Sequence, residues 1–220
     1  MTASALKVSV PSGDTVELPG LLWPDLVEHE APAREAWAEH LHGFPLVAGL
    51  VEATRREVNP LLEAWHPLGA YRRPFGEQHF LLLADGEPIA VASSGSVRRP
   101  TVAGGIPRRR VVELARLARR PGTDPLARRA MRVMLRLWTD YCAPRWADKY
   151  PDWQVQHAIS YALPGTPGRV YRFDGWSQVA TTGPWRGSTG WSGPGRTDHI
   201  ADGRKGVWLY TYDQEARDAD

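Results

Sequence analysis

The segment Gln78–Ser96, QHFLLLADGEPIAVASSGS, constrains the fold more than any other stretch of this chain. A run of buried-strand type, Gln78 to Ala84, meets Asp85-Gly86, a dipeptide suited to the positive φ angles of a tight hairpin turn. Pro88 to Ser96 reads as the return strand. Any fold for the chain has to be built around that antiparallel pair.

Downstream of the hairpin the strand and helix signals continue. Arg98 to Arg109 is a loop rich in Arg, Pro and Gly, and Arg110 to Leu117 (RVVELARL) reads as a strand with Val111, Glu113 and Ala115 on one face. Arg119 to Thr123 is a turn. Asp124-Pro125 supplies an N-cap and then proline at the first helical position. In the helix predicted over 126–142, Leu126, Ala130, Val133, Met134, Leu137, Trp138 and Tyr141 form an apolar stripe. Arg128, Arg129, Arg132 and Arg136 take the other face. Val155–Tyr161 is a further strand, then come a Pro/Gly loop, a short helix over 169–174, a strand over Trp176–Thr181 and a last strand over Val207–Tyr212.

Upstream of the hairpin the signals are weaker. Residues 1–30 read as a short strand and an irregular lead-in, and Pro32–His42 as a helix. A second helix is expected from about Leu46 to Glu57, ending near Asn59-Pro60, which would cap a short helix stopping at Pro67. The order α, α, β, β, β, α, β, α, β predicts an α/β domain. Residues 1–57 are expected to form an N-terminal extension packed on a core of residues 58–220, which includes a Trp/Arg/Gly-rich loop over 183–206.

Composition narrows the function classes. The single cysteine, Cys142, excludes an internal disulfide framework and a multi-cysteine zinc site. No stretch approaches the roughly 20 apolar residues of a membrane helix, and MTASALKVSVPSGD lacks the apolar region of a secretory signal. A cytoplasmic location is the expectation. The net charge is only +2, but residues 1–64 carry four basic against ten acidic side chains, and residues 98–145 carry 13 arginines against three acids. The basic stretch calls for a polyanion, a phosphorylated cofactor or the acidic N-terminal segment as its counterpart. A solvated arginine-rich surface is the plainer alternative.

The turn Arg119–Asp124 feeding a helix is the strongest local candidate for chemistry. A helix N-terminus presents unpaired N–H groups and favours an anion, glycine allows close backbone approach, and arginines add bidentate phosphate contacts. In the other reading Asp124 merely caps the helix while the arginines face water. Tryptophans interleaved with arginines over 183–206 suit stacking on bases while touching phosphates, or else cover a sheet edge. His40-x-His42, and His66 with His79, lack the spacing of a metal-ligand set, and no metal is expected.

Hairpin, central strand, basic glycine-containing turn, amphipathic helix and next strand resemble the core of the GNAT acyltransferases, which implies a mixed central sheet flanked by helices. In that superfamily the turn holds the pyrophosphate of acyl-CoA in the form Arg/Gln-x-x-Gly-x-Gly/Ala. Arg119 and Gly122 match it, and Asp124 stands at its last position. The resemblance implies an acetyl-CoA or related acyl-CoA cofactor held by Leu117, Arg119, Arg120, Gly122, Thr123 and Asp124. It also implies Glu113 as a general base and Tyr171 as the acid that protonates the leaving thiolate.

A more specific likeness is carried by His157–Thr182, where Ser160-Tyr161-Ala162, Gly165, Gly168, Val170-Tyr171 and Gly175-Trp176 resemble the Mom family of phage DNA-modification proteins. WHPLG (Trp65–Gly69) and VELARLA (Val112–Ala118) resemble further segments of it, so the likeness covers roughly residues 58–182. Mom-like proteins are GNAT-related and convert adenine in DNA to a carbamoylmethylated form that shields it from restriction. The resemblance implies functional roles for His66, Ser160 and Tyr171, and DNA as partner; the basic stretch and the Trp/Arg-rich loop offer Arg108, Arg109, Trp185, Arg186, Trp191 and Arg196 as its contacts. Each catalytic candidate also has a structural reading: a helix-end histidine, a Glu113 salt bridge to Arg116 or a neighbouring arginine, a small strand serine, a buried tyrosine. Two other functions stay open: a GNAT enzyme acting on a small amine or a protein, and a non-catalytic nucleic-acid-binding protein.

Overall fold

The computed structural model describes residues 6–18, 47–74, 76–122, 125–163, 168–182 and 204–212. The hairpin that dominates the sequence forms β4 (Glu77–Ala84) and β5 (Glu87–Ser96). Asp85 and Gly86 between them both have positive φ, 51° and 80°, as the twist of a two-residue hairpin turn demands. Around this pair lie β1 (Leu6–Ser9), β2 (Thr15–Leu18), β3 (Val47–Ala53), β8 (Val111–Arg119), β9 (His157–Ala162), β10 (Ser177–Thr181) and β11 (Gly206–Thr211). They join in one sheet of order β10-β11-β9-β8-β5-β4-β3-β1-β2. β8 with β9, and β1 with β3, run parallel, while the other neighbours are antiparallel. The chain is therefore α/β with a large mixed sheet, as the sequence predicts. Two-residue strands β6 (Thr101–Val102) and β7 (Ile106–Pro107) make a separate small hairpin within the expected loop, and a 3₁₀ turn over Arg108–Arg110 comes after them.

One face of the sheet is covered by α2 (Pro125–Leu137), the π-helical turn Trp138–Cys142 that continues it, α3 (Trp146–Lys149) and α4 (Arg169–Phe173). Its core contains Ala130, Val133, Met134, Leu137 and Trp138, all from the predicted stripe, together with Trp146, Trp176 and Trp208. The other face carries α1 (Arg55–Trp65), whose Val58 and Leu62 pack on Leu81, Val91 and Ala118.

Three expectations are corrected. The segment Val47–Ala53 is a strand and not the start of a helix: its Val47, Leu50 and Val51 fit either period, and pairing with β4 and β1 decides for the strand. The helix begins one residue past Thr54, where Thr54 and Glu57 close a reciprocal capping box. It runs through Asn59-Pro60 to Trp65, so residue 57 lies within a helix of the core. Asn59 is no cap. Its side chain accepts from the Tyr71 N–H (2.8 Å) and donates to the Tyr71 carbonyl (3.3 Å), tying the segment beyond Trp65 back to the helix. Thirdly, the arginines of α2 do not simply face away from the core. Arg129 is buried, and Arg132 and Arg136 both reach Oδ1 of Asp174, whose side chain is fully buried at the end of α4. Burial raises the Asp174 pKa and the two guanidiniums oppose that rise, so the cluster clamps α4 onto α2. The helix predicted over 32–42 lies outside the described residues.

Candidate active site at the parting of two parallel strands

β8 carries an extra residue opposite β5. Ser93 faces Arg116 and Ser94 faces Leu114, which leaves Ala115 bulged. A bulge bends its strand, and here the consequence is visible on the other side. The ladder between β8 and β9 runs from Val111/His157 to Leu114/Ser160 and stops there, although β8 continues to Arg119 and β9 to Ala162. Among the described residues no strand pairs with that side of β8 beyond Leu114. The backbone groups of Leu117 and Arg119, which point away from β5, thus offer an open edge to an extended ligand.

Two sequence-predicted residues meet where the strands part. Ser160 Oγ lies 2.9 Å from the Tyr171 hydroxyl and donates to the Leu114 carbonyl at 3.2 Å, so Tyr171 donates to Ser160. Both side chains are buried on the α2/α4 face. Burial raises the Tyr171 pKa, only partly offset by the serine, which keeps the phenol protonated. Trp208 stacks on the Tyr171 ring at 5.5 Å and Trp176 packs beside it. Gly168 makes this possible: it has φ +61°, and a Cβ there would come within 2.2 Å of the Trp208 ring.

Glu113 and His66 lie on the opposite face, with the sheet between them and the hydroxyl pair. Glu113 is buried and both its oxygens accept from Arg73 at 2.5 Å, so its ion-pair partner is Arg73 and not Arg116. Gly95 allows this packing, since a Cβ there would stand 2.7 Å from the Tyr71 hydroxyl and 3.5 Å from Arg73. His66 caps the end of α1, and its Nδ1 accepts from the Leu68 N–H at 3.0 Å. Burial, then the charges of Arg116 and Lys205, push its pKa down to about 3. With Nδ1 accepting from Leu68, a neutral His66 ring carries its proton on Nε2 and presents an N–H donor. Arg116 extends over the same region, with Nε donating to the Gly69 carbonyl (3.2 Å) and Nη1 to the Ala115 carbonyl (2.8 Å). Tyr161 faces this side too, its pKa raised to about 12 by burial and by the Glu113 charge.

Of the expected cofactor turn, residues 119–122 are described. Arg119 Nη1 donates to the carbonyls of Arg120 (3.0 Å) and Gly122 (3.1 Å) and braces the turn. The Arg120 N–H bonds to the Ile89 carbonyl, tying the turn to β5. Leu117 packs against the core, leaving its backbone on the open edge. Thr123 and Asp124 lie outside the described residues, as do Trp185, Arg186, Trp191 and Arg196. Arg108 and Arg109 are exposed on the 3₁₀ turn, away from the hydroxyl pair's face.

Arg73, Arg116 and Tyr161 escape sequence reasoning as site residues. Their one signal is alternation: Glu113 and Tyr161 stand on strands at odd positions that share a face, and a buried carboxylate there requires a cation from elsewhere. No family model and no curated protein matches the sequence. Among solved structures, the chain is similar to the aminoglycoside acetyltransferase AAC(6')-Ib in complex with coenzyme A, at 15% identity and a TM-score of 0.45, covering 79% of this chain and 99% of that one. The same enzyme with paromomycin and acetyl-CoA aligns at 16% identity and a TM-score of 0.42, over 78% of this chain and 96% of that one. Likenesses at this level decide nothing about the chemistry here. No described helix is long and apolar enough to cross a membrane.

Proposed function

We propose that the chain is an acyl-CoA-dependent transferase of the GNAT type that modifies adenine bases in DNA, in the manner of the Mom family, and so protects phage or mobile-element DNA from restriction. The observation that carries this reading is the Ser160–Tyr171 hydroxyl pair at the point where β8 and β9 part. Both residues come from the segment that resembles Mom, and they lie beside an edge of β8 that no described strand covers beyond Leu114, where an extended thioester could enter. Tyr171, kept protonated by its burial, is suited to give a proton to a leaving thiolate as the carbon–sulfur bond breaks. Ser160 holds that phenol in place. Glu113, gripped at both oxygens, is better suited to organising Arg73 than to taking a proton from the acceptor.

The test is co-expression with a plasmid, then mass spectrometry of nucleosides from the recovered DNA. A new modified adenine, absent from the Tyr171→Phe variant, is expected; unaltered nucleosides from soluble, well-expressed protein would refute it. The bracing of Arg119 onto its own turn favours one rival, a nucleic-acid-binding protein without a cofactor. Calorimetric titration with coenzyme A separates the two, since the rival predicts no binding.

A further inference from the structure

On the face of the sheet that carries α2 and α3, but away from the hydroxyl pair, β3 and β4 form the floor of a cavity of about 430 Å³. Glu52 stands opposite Phe80 in the β3–β4 ladder, so the two share this face, and Gln78, two residues before Phe80, shares it too. The wall comes from the helical side: Tyr141 of the π-helical turn, Arg145, and Asp148 and Lys149 of α3. The turn between β1 and β2 closes a third side, where the Tyr141 hydroxyl reaches Ser12 Oγ at 3.4 Å. This cavity is separate from the Ser160–Tyr171 pair. Gln78 pairs with Ser94, Ser94 with Leu114 and Leu114 with Ser160, which puts three strand spacings, about 14 Å, between them. Trp138 stands in the gap, its Nε1–H donating to Ser94 Oγ at 2.9 Å.

Glu52 and Lys149 both line the cavity, yet neither forms a salt bridge, with the other or with any described residue. Gln78 is only 6% exposed, and its Oε1 is buried with no hydrogen-bond partner among the described residues. A buried amide oxygen in that state is costly until a donor meets it. Arg145 differs, since its guanidinium lies 4.2 Å from the centre of the Tyr141 ring and 3.8 Å from Asp148.

The distribution of charge selects the ligand. Two carboxylates, Glu52 and Asp148, and two cations, Arg145 and Lys149, leave the lining with no net charge, so neither a phosphate nor a polyamine is favoured. Because Glu52 and Lys149 line one cavity without meeting, their complement is a molecule that carries both signs. Glu52 and Gln78 are diagonal neighbours across β3 and β4, near enough for one ammonium to take both side-chain oxygens. Lys149, on the helical wall, is left for a carboxylate.

We infer that this cavity is a binding site for a free amino acid, its ammonium held by Glu52 and Gln78 Oε1 and its carboxylate by Lys149. The site goes beyond the proposed transferase and does not depend on it.

The test is isothermal titration of the full chain with each standard amino acid in turn, and with the amide and the N-acetyl derivative of the one that binds best. Wild type should bind the free amino acid about tenfold or more tightly than either derivative, since each derivative lacks one charge. Lys149→Met should lose the preference over the amide, and Glu52→Gln the preference over the N-acetyl form. Arg56→Met, on α1 across the sheet, should bind as wild type does. Gln78→Met should weaken binding while its melting temperature stays level or rises, because an unpaired buried amide is removed. Circular dichroism checks that each variant is folded. No heat from any amino acid at up to about 10 mM would overturn the inference. So would a derivative that binds as tightly as the free acid, or folded Glu52→Gln and Lys149→Met variants that keep the wild-type preferences.

Discussion

Replacing Arg73 by methionine isolates the ion pair on which the α1 face is organised. Glu113 is only 4% exposed and both its oxygens are held by Arg73. Methionine fills the volume but leaves a desolvated carboxylate without its partner, a change that costs about 3–5 kcal/mol in comparable buried pairs. Arg116 is close enough to be felt electrostatically, so the lower end of that range, about 3 kcal/mol, is expected. For a chain of this length that lowers the melting temperature by about 6–12 °C. Adding Glu113→Gln to the same variant removes the stranded charge and should recover most of the loss. The pH dependence carries a definite sign. An unpartnered buried carboxylate favours its protonated form, so the folded variant binds a proton more readily than the unfolded chain, and its deficit must shrink as pH falls from 8 to 5. Urea titrations of the three proteins at both pH values measure all of this. A single-variant deficit under about 1 kcal/mol, a double variant no better than the single, or a deficit that grows on acidification would each refute the reasoning.

The geometry leads to three other expected outcomes. Tyr171→Phe and Ser160→Ala should each reduce base modification at least about tenfold with little change in the melt, and the double variant should be no worse than Tyr171→Phe, because the two hydroxyls act as one unit. Gly168→Ala should destabilise by roughly 2–5 kcal/mol, since its Cβ meets the Trp208 ring and its φ of +61° disfavours any side chain; urea titration monitored by tryptophan fluorescence reads this out. His66, pushed from 6.5 to about 3 in the folded state, binds its proton more readily when unfolded, so it makes stability rise with pH between about 3 and 6.5. His66→Gln should flatten the acid limb of the stability profile in that window, and nitrogen NMR should show a neutral, Nε2-protonated ring at pH 5.

Much of the architecture was legible in the chain because it is written locally. Asp85-Gly86 announces a hairpin through its φ preferences, and the stripe from Ala130 to Trp138 announces an amphipathic helix through its spacing. Thr54 and Glu57 stand at the spacing of a capping box, although an apolar run just before them hid the true start of the helix. Val47–Ala53 was ambiguous because the spacing of Val47, Leu50 and Val51 satisfies a helix or a strand, and only partners on both sides could decide.

The site divides along the same line. The residue types of Ser160 and Tyr171 marked them in the sequence, but their 2.9 Å contact depends on α4 folding back over β9, which the Asp174 clamp to Arg132 and Arg136 secures. Glu113 was visible as a carboxylate on a central strand; that its partner is Arg73, 40 positions away, was not. Turn chemistry and periodicity are properties of neighbouring residues, so the sequence by itself determined the central hairpin and the amphipathic helix after it. Which charges meet, which protons are held and where β8 and β9 part depend on register and burial across the sheet, and only the tertiary structure decided them.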